Sequence, residues 1–212
     1  MKKILGLLVT VLFYSCESDN SNDNQNNKNY EIFISAIVDG KVFESGVEVG
    51  ATSNYDPYGS VQSYQTRNNG ASCIDINYGP GLYPYGDESL GNMGIGFIGF
   101  LSNSGLTCAD ELDNFNTLFP VNSYSYAIDE YEYGVSVDYS PENSSNFYLS
   151  YGSQDSSASF KITNVEDLTC GFSKCLTISG TFSCRLYNED DANDFIDITN
   201  GEFKLVIESF NP

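Results

Sequence analysis

Apolar and polar residues alternate over most of residues 30–212, and this period of two is the feature that most restricts the fold. Successive side chains of a β-strand point to opposite faces, so the alternation predicts strands with one buried and one solvated face. In the longest example, 176–188, Ile178, Phe182 and Leu186 share one face and Thr181 and Arg185 the other. We predict strands at 32–38, 41–43, 60–65, 72–78, 94–101, 123–128, 133–139, 146–151, 158–164, 176–188 and 202–209.

Turn signals separate most of these segments. The Asp39-Gly40 pair between two alternating runs predicts a tight hairpin, because both residues tolerate positive φ. Many short strands with regular turns predict an all-β fold, namely an antiparallel β-sandwich or, alternatively, a β-barrel. We expect a single β-sandwich domain over 30–212, with one short helix near 109–118, where apolar residues recur at helical spacing. Clusters rich in Gly, Pro and Asn predict the other turns, at 67–70, 79–81, 140–143 and 199–201.

Charge and composition exclude several classes of function. The chain carries 29 acidic and 9 basic residues, which gives a formal net charge of −20. Nucleic acid has the same sign of charge, so we expect no nucleic-acid partner. The absence of His removes Ser-His-Asp and Cys-His catalysis and the commonest zinc sites. We therefore predict neither a metal site nor a cofactor.

The first 29 residues predict export and an anchor. Lys2 and Lys3 precede an apolar run at 4–13, which is too short to span a bilayer but fits a secretory signal. Cys16 follows after Tyr14 and Ser15, and attachment of two acyl chains through its thiol would give stable membrane anchoring. We predict a signal peptide at 1–15, then the lipidated Cys16 and a flexible acidic and Asn-rich tether at 16–29, which contains no apolar residue after the cysteine.

Residues 1–16 resemble the signal of bacterial lipoproteins, although Phe13 and Tyr14 stand where that motif usually has Leu and a small residue. The acidic and Asn-rich tether is similar to the surface-export signals of Bacteroidota lipoproteins. The segments 38–43, 179–184 and 198–203 also resemble hairpins of an uncharacterised family of β-rich lipoproteins. These resemblances imply a lipoprotein of the cell envelope, in the outer membrane and exposed at the surface, and they imply no particular activity.

With Cys16 assigned to lipid, five cysteines remain, an odd number for an oxidising compartment. Cys170 and Cys175 flank a predicted hairpin end, and we predict a disulfide between them. Cys184 lies on the apolar face of its strand and is predicted to be buried and free. By elimination, Cys73 and Cys108 form the second candidate disulfide. The spacing of the last three cysteines does not fit a zinc site.

Two further motifs have a functional and a structural interpretation. Residues 94–99 match G-x-G-x-x-G, but no helix pattern follows, so we predict a glycine-rich strand that another sheet or a side chain approaches closely. The acidic clusters at 129–133 and 188–194 are interpreted as solvated loops. Paired carboxylates can also hydrolyse glycans without His, and the second cluster has oxygen ligands suited to Ca²⁺.

Tyrosine is abundant, with 16 residues, and is the side chain most suggestive of a ligand. It offers a large, rigid contact area with a polar tip, although it also favours strands. The predicted binding residues are Tyr124, Tyr126, Tyr131 and Tyr133. The sequence thus favours a lipid-anchored, non-catalytic domain that binds a protein or glycan at the cell surface. The alternatives are a carboxylate-based glycan hydrolase and a structural envelope protein without a specific ligand.

Overall fold

The computed structural model describes residues 30–48, 61–65, 76–82, 91–104, 113–170 and 173–209. The predicted signal peptide, Cys16 and the tether therefore lie outside the described residues, as do Cys73, Cys108 and the predicted turn at 67–70. The described strands are β1 (Tyr30–Val38), β2 (Lys41–Glu48), β3 (Val61–Gln65), β4 (Ile76–Leu82), β5 (Asn92–Ile98), β6 (Ser123–Tyr124), β7 (Gly134–Ser140), β8 (Tyr148–Leu149), β9 (Ser159–Cys170), β10 (Ser173–Asn188) and β11 (Phe195–Glu208).

The strands form one antiparallel sheet, which confirms the prediction of an all-β fold. Its order is β2-β1-β11-β10-β8-β7-β5-β4-β3, while β9 pairs with β10 and also with β6. Among the described residues β2 and β3 end this path without pairing with each other, so the sheet is open and the alternative of a closed barrel is not realised.

The core lies between two halves of this sheet that face each other. The ring of Phe43 on β2 lies 5.9 Å from that of Tyr139 on β7, and the ring of Phe97 on β5 lies 6.0 Å from that of Phe160 on β9. These contacts join β2 and β9 of one half to β5 and β7 of the other. The sandwich therefore arises because a continuous sheet folds over at β10, whose last residues pair with β8.

Local patterns explain the first hairpin and the longest strand. Asp39 and Gly40 have φ values of 49° and 79°, so the predicted tight turn joins β1 to β2. Along β10, the predicted apolar face is buried and the predicted polar face is partly or fully exposed. Both predictions are confirmed.

Gln154 completes the sheet where β10 changes partner. β9 accompanies β10 as far as Ser183, and β8 begins only at Tyr187. In the gap, the side-chain nitrogen of Gln154 donates to the carbonyl oxygens of Ser150 and Arg185, at 2.8 Å and 2.9 Å. Its side-chain oxygen accepts the N–H of Arg185 at 2.9 Å. One amide side chain thus satisfies backbone groups that have no strand beside them.

Two predicted turns are wrong. Residues 79–81 lie inside β4, and 199–201 lie inside β11. At the second position the β10–β11 register shifts between Phe182 and Cys184, and Asn200 has a φ of 51°. The Asn-Gly pair therefore forms a bulge within a long strand, because a bulge needs the same left-handed backbone as a turn. The predicted turn at 140–143 is confirmed and follows β7.

The helical segments differ in part from the prediction. Within 109–118, residues 113–114 are helical and Phe115–Thr117 form a 3-10 turn, while 109–112 lie outside the described residues. A short helix, α1 (Phe100–Ser104), follows β5, so the strand predicted at 94–101 ends three residues early. Gly99 has a φ of 65° and turns the chain there. Phe100 then packs on Phe97 and Phe119 in the core.

Candidate binding surface

Two of the four predicted tyrosines pack together beside α1. The rings of Tyr124 and Tyr133 lie 5.3 Å and 5.1 Å from the ring of Phe100, which is itself buried. The hydroxyl of Tyr124 donates to the carbonyl oxygen of Pro120 at 2.5 Å. Burial raises the pKa of Tyr124 to about 12. Tyr133 keeps 41% of its surface exposed, so this cluster joins the core to the surface.

Tyr126 has a different environment, inside the sheet. Its hydroxyl lies 3.0 Å from the carbonyl oxygens of both Ser159 and Ser183, which share its one proton, and its ring packs edge-on against Phe160. Burial is the main cause that raises its pKa well above the usual range. These bonds tie β9 and β10 to the segment before β7, which favours a structural role for Tyr126, and we leave it out of the candidate surface.

Tyr131 lies at the tip of residues 128–133, here called the 128–133 loop. Its side chain is 77% exposed, and that of Ile128 is 60% exposed. The loop backbone is nevertheless fixed: the N–H groups of Tyr131 and Glu132 both donate to Oδ1 of Asp129, at 2.8 Å and 3.0 Å. At the start of the loop, the carbonyl oxygen of Ile128 accepts the N–H of Gly152 at 3.0 Å. Exposed apolar side chains therefore stand on an ordered turn.

The loop is also acidic. Asp129, Glu130 and Glu132 are exposed, and the loop contains no basic residue. A hydrogen bond with Glu130 is the main cause that raises the pKa of Tyr131. The surface thus combines aromatic contact area with negative charge.

Two glycines of β5 receive polar side chains from β7, the strand that follows the loop. A methyl group at Gly94 would overlap the carboxylate of Asp138, and one at Gly96 would overlap Oγ of Ser136. The prediction that another sheet or a side chain approaches the glycine-rich strand closely is confirmed, and the approaching groups are these two side chains. The register pairs Gly94 with Asp138 and Gly96 with Ser136, which explains why β5 lacks side chains at these positions.

Asp138 is the most perturbed carboxyl group of this surface. The side chain of Asp138 is partly buried, and burial raises its pKa from 3.8 to about 6. Close by, the hydroxyl of Tyr151 is hydrogen-bonded to Ser136, and burial raises the pKa of Tyr151. The charges acting on Tyr151 are those of Glu130, Asp138 and Asp129.

Sequence reasoning identified the loop but missed Asp138, Ser136 and Tyr151. One signal was present: within the predicted strand at 133–139, Ser136 and Asp138 occupy the face opposite Val135 and Val137. Alternation alone gave no register between β5 and β7, so it could not indicate that two glycines face these polar residues.

The second acidic cluster, at 188–194, forms the loop between β10 and β11. Oδ2 of Asp194 accepts the hydroxyl of Tyr148 at 2.9 Å and the side-chain amide of Asn188 at 2.7 Å. Oδ1 of Asp191 accepts the backbone and side-chain N–H groups of Asn193. Internal hydrogen bonds thus use these carboxylates. Within the described part of the chain, no three or more Asp, Glu, Cys or His residues are grouped so that they could hold a metal ion.

The cysteines are only partly described. Cys184 is buried and free, as predicted, and burial raises its pKa to about 12. Cys175 is disulfide-bonded. The register pairs Cys175 with Leu168 and Cys170 with Ser173, so Cys170 and Cys175 occupy diagonal rather than opposite positions. The Cys170–Cys175 pairing stays a prediction.

Comparison with known proteins found no match for this chain. No protein-family model, no curated protein and no solved structure matches the chain. Among the described residues, no helix is long and apolar enough to cross a membrane.

Proposed function

We propose that this chain is a lipid-anchored, non-catalytic binding module of the cell envelope, which contacts a protein or glycan through the 128–133 loop. The observation that carries the proposal is the exposure of Tyr131 and Ile128 on a loop whose backbone is held by Asp129. A fixed loop loses little conformational entropy on binding, so the contact area of its aromatic ring contributes more fully to affinity.

The pairing of Tyr124 and Tyr133 on Phe100 supports this assignment. The cluster links the exposed loop end to buried aromatic rings, which limits the movement of Tyr133. Rigid aromatic anchors of this kind commonly contribute a large share of the binding energy of an interface. The proposed surface therefore has Tyr131 and Ile128 at its centre and the partly exposed Tyr133 and Tyr124 at its inner edge.

The anchor is the second part of the proposal. Residues 1–15 are removed as a signal peptide, Cys16 carries the lipid, and residues 17–29 hold the β domain away from an outer membrane. The net charge of −20 supports a need for a covalent anchor, since anionic lipid repels such a chain.

Binding is tested with arrays of immobilised glycans and envelope proteins, probed with the purified full-length protein. We expect the wild type to bind at least one ligand and Tyr131→Ala to weaken that binding about tenfold or more, a loss typical of a central aromatic residue. Phe147→Ala, at a partly exposed aromatic residue outside the loop, is the matched control and should bind like the wild type. A wild type that binds no better than Tyr131→Ala would contradict the proposed surface.

The anchor is tested by membrane fractionation and by mass spectrometry of the amino terminus. We expect a lipid on Cys16, and we expect Cys16→Ser to move the protein from the membrane to the soluble fraction. Cys184→Ser, at the buried free thiol, is the control and should stay with the membrane. An unprocessed, unmodified amino terminus would contradict the anchor.

The disulfides are tested by peptide mapping without reductant. We propose one disulfide between Cys170 and Cys175 and a second between Cys73 and Cys108. A peptide linking Cys175 to Cys73 or Cys108 would contradict this pairing.

One observation favours a second candidate, a carboxylate-based glycan hydrolase. A general acid needs a raised pKa, and burial raises that of Asp138 to about 6. If this candidate is correct, the wild type releases reducing ends from a bound glycan and Asp138→Asn does not. A wild type that binds a glycan without cleaving it would exclude the hydrolase.

A further inference from the structure

We infer that the outer face of the sheet, opposite the core, carries a second binding site, which takes an uncharged sugar ring of a glycan. Its residues, here called the Phe195 surface, are Phe195, Tyr187, Arg185 and Asp197. This surface shares no residue with the 128–133 loop. The inference therefore goes beyond the proposed function, and each can be correct without the other.

The strand register brings these four side chains together. Tyr187 on β10 pairs with Phe195 on β11. Two residues before Tyr187, Arg185 pairs with Asp197. Leu186, between Arg185 and Tyr187, is fully buried in the core, so alternation directs its two neighbours to the opposite face. Two aromatic side chains and one ion pair thus occupy adjacent rows of the outer face.

Internal contacts hold these side chains in place. The guanidinium group of Arg185 lies over the ring of Phe195, with Cζ 3.9 Å from the ring centroid. Its Nε and Nη2 atoms donate to the two carboxylate oxygens of Asp197, at 2.8 Å and 3.0 Å. The hydroxyl of Tyr187 donates to the carbonyl oxygen of Ser153 at 2.8 Å. Binding a ligand here would therefore cost little side-chain entropy.

The ion pair keeps unused capacity for hydrogen bonds. The side chains of Arg185 and Asp197 are 31% and 52% exposed. A guanidinium group has five N–H donors, and among the described residues only two of those of Arg185 meet an acceptor. The carboxylate oxygens of Asp197 can likewise accept further bonds. Because a sugar hydroxyl both donates and accepts, neighbouring hydroxyls of one ring match this pair of groups.

The charges of the surface favour an uncharged ligand. Asp197 neutralises Arg185, and the negative charge of Asp155 also acts on the guanidinium group. An anionic ligand would in addition be repelled by the net charge of −20. A cationic ligand would find the carboxylate of Asp197 already paired with Arg185. A neutral polar ligand meets neither obstacle.

The aromatic rings supply the apolar part of the contact. The ring centroids of Tyr187 and Phe195 lie 6.4 Å apart, and Phe195 is 45% exposed. The C–H groups on one face of a sugar ring pack against such aromatic side chains while its hydroxyls reach polar groups beside them. An apolar protein segment fits less well, because it would cover the ion pair without replacing the hydrogen bonds that the pair makes to water.

The test is electrophoresis of the purified full-length protein through native gels that contain a neutral polysaccharide, in turn a glucan, a mannan, a galactan and a xylan. We expect at least one of these to retard the wild type and Phe195→Ala to weaken that binding about tenfold. Tyr131→Ala is the matched control, since it removes a more exposed aromatic side chain without changing the charge. It should weaken the binding less than about twofold.

Two results would overturn the inference. One is a wild type that none of the four polysaccharides retards, the result expected if the surface binds a protein instead. The other is a Phe195→Ala variant that is retarded as strongly as the wild type.

A second variant keeps the inference testable if Phe195→Ala disturbs the fold. Arg185→Lys keeps the positive charge but lacks the planar group that donates to Asp197 and lies over Phe195. We expect it to weaken polysaccharide binding about three- to tenfold. Unchanged binding would overturn the inference.

The same variants separate this inference from the proposed function. If Tyr131→Ala weakens binding of the polysaccharide and Phe195→Ala does not, the inference fails and the proposed function stands. If Phe195→Ala weakens it while Tyr131→Ala alters binding to no ligand on the arrays, the proposed function fails and the Phe195 surface stands.

Discussion

Replacing Asp138 with Asn should stabilise the protein at neutral pH. Burial raises the pKa of this carboxyl group from 3.8 to about 6, so the charged carboxylate is less stable in the folded state than in the unfolded state. At a pH above both pKa values, a shift of this size lowers the free energy of unfolding by about 3 kcal/mol. Because part of the residue is exposed, we expect a gain of about 1–3 kcal/mol for Asp138→Asn.

The sign of the pH dependence follows from the same shift. Between pH 4 and pH 6 the folded state binds a proton at Asp138 that the unfolded state has already released. The free energy of unfolding of the wild type should therefore fall as the pH rises through this interval, relative to that of Asp138→Asn. Below pH 4 both states are protonated and the difference between the two proteins should disappear.

The assay is urea unfolding of the wild type, Asp138→Asn and Asp167→Asn over a series of pH values. The control variant removes a charge from an exposed position, so it should follow the wild type within about 0.5 kcal/mol. If the wild type and Asp138→Asn keep a constant difference from pH 4 to pH 8, the carboxyl group is not desolvated as the structure indicates, and the reasoning fails.

Three substitutions test other parts of the fold by urea unfolding. Gln154→Ala should lower the free energy of unfolding by about 1–3 kcal/mol, because it leaves the N–H and carbonyl groups of Arg185 without their partners; a change below about 0.5 kcal/mol would contradict this. Gly180→Ala should lower the free energy of unfolding by about 1–3 kcal/mol, because its methyl group would overlap the backbone carbonyl oxygen of Lys161 and the ring of Phe203; unaltered stability would show that the strands on either side of β10 can move apart there. Tyr126→Phe should lower the free energy of unfolding by about 1 kcal/mol, because it removes the hydrogen bonding of the hydroxyl. It should leave binding of the array ligand unchanged; weakened binding would show that Tyr126 belongs to the candidate binding surface.

Short-range patterns predicted the elements of the fold well. Asp39 and Gly40 are adjacent in the chain, so their backbone preference alone determines the first hairpin. The alternation along β10 likewise follows from the strand itself. The turn predicted from the Asn-Gly pair at 200–201 was wrong because a left-handed backbone suits a turn and a bulge equally. Only the pairing of β11 with both β1 and β10 decides between them.

Long-range arrangement could not be predicted from the sequence. The continuity of the sheet depends on two residues of β8 that pair with the end of β10, a connection without a sequence signal. The polar groups on β7 have the same limit: Tyr131 was found because its loop is local, whereas the position of Asp138 over Gly94 requires the register of β5 with β7.

The most direct test of the proposed surface is hydrogen exchange of the backbone amides with and without the ligand that the array identifies. We predict slower exchange in the 128–133 loop and around Tyr151 when the ligand is bound. Slower exchange confined to the far end of the sandwich, at the 188–194 loop, would contradict the account.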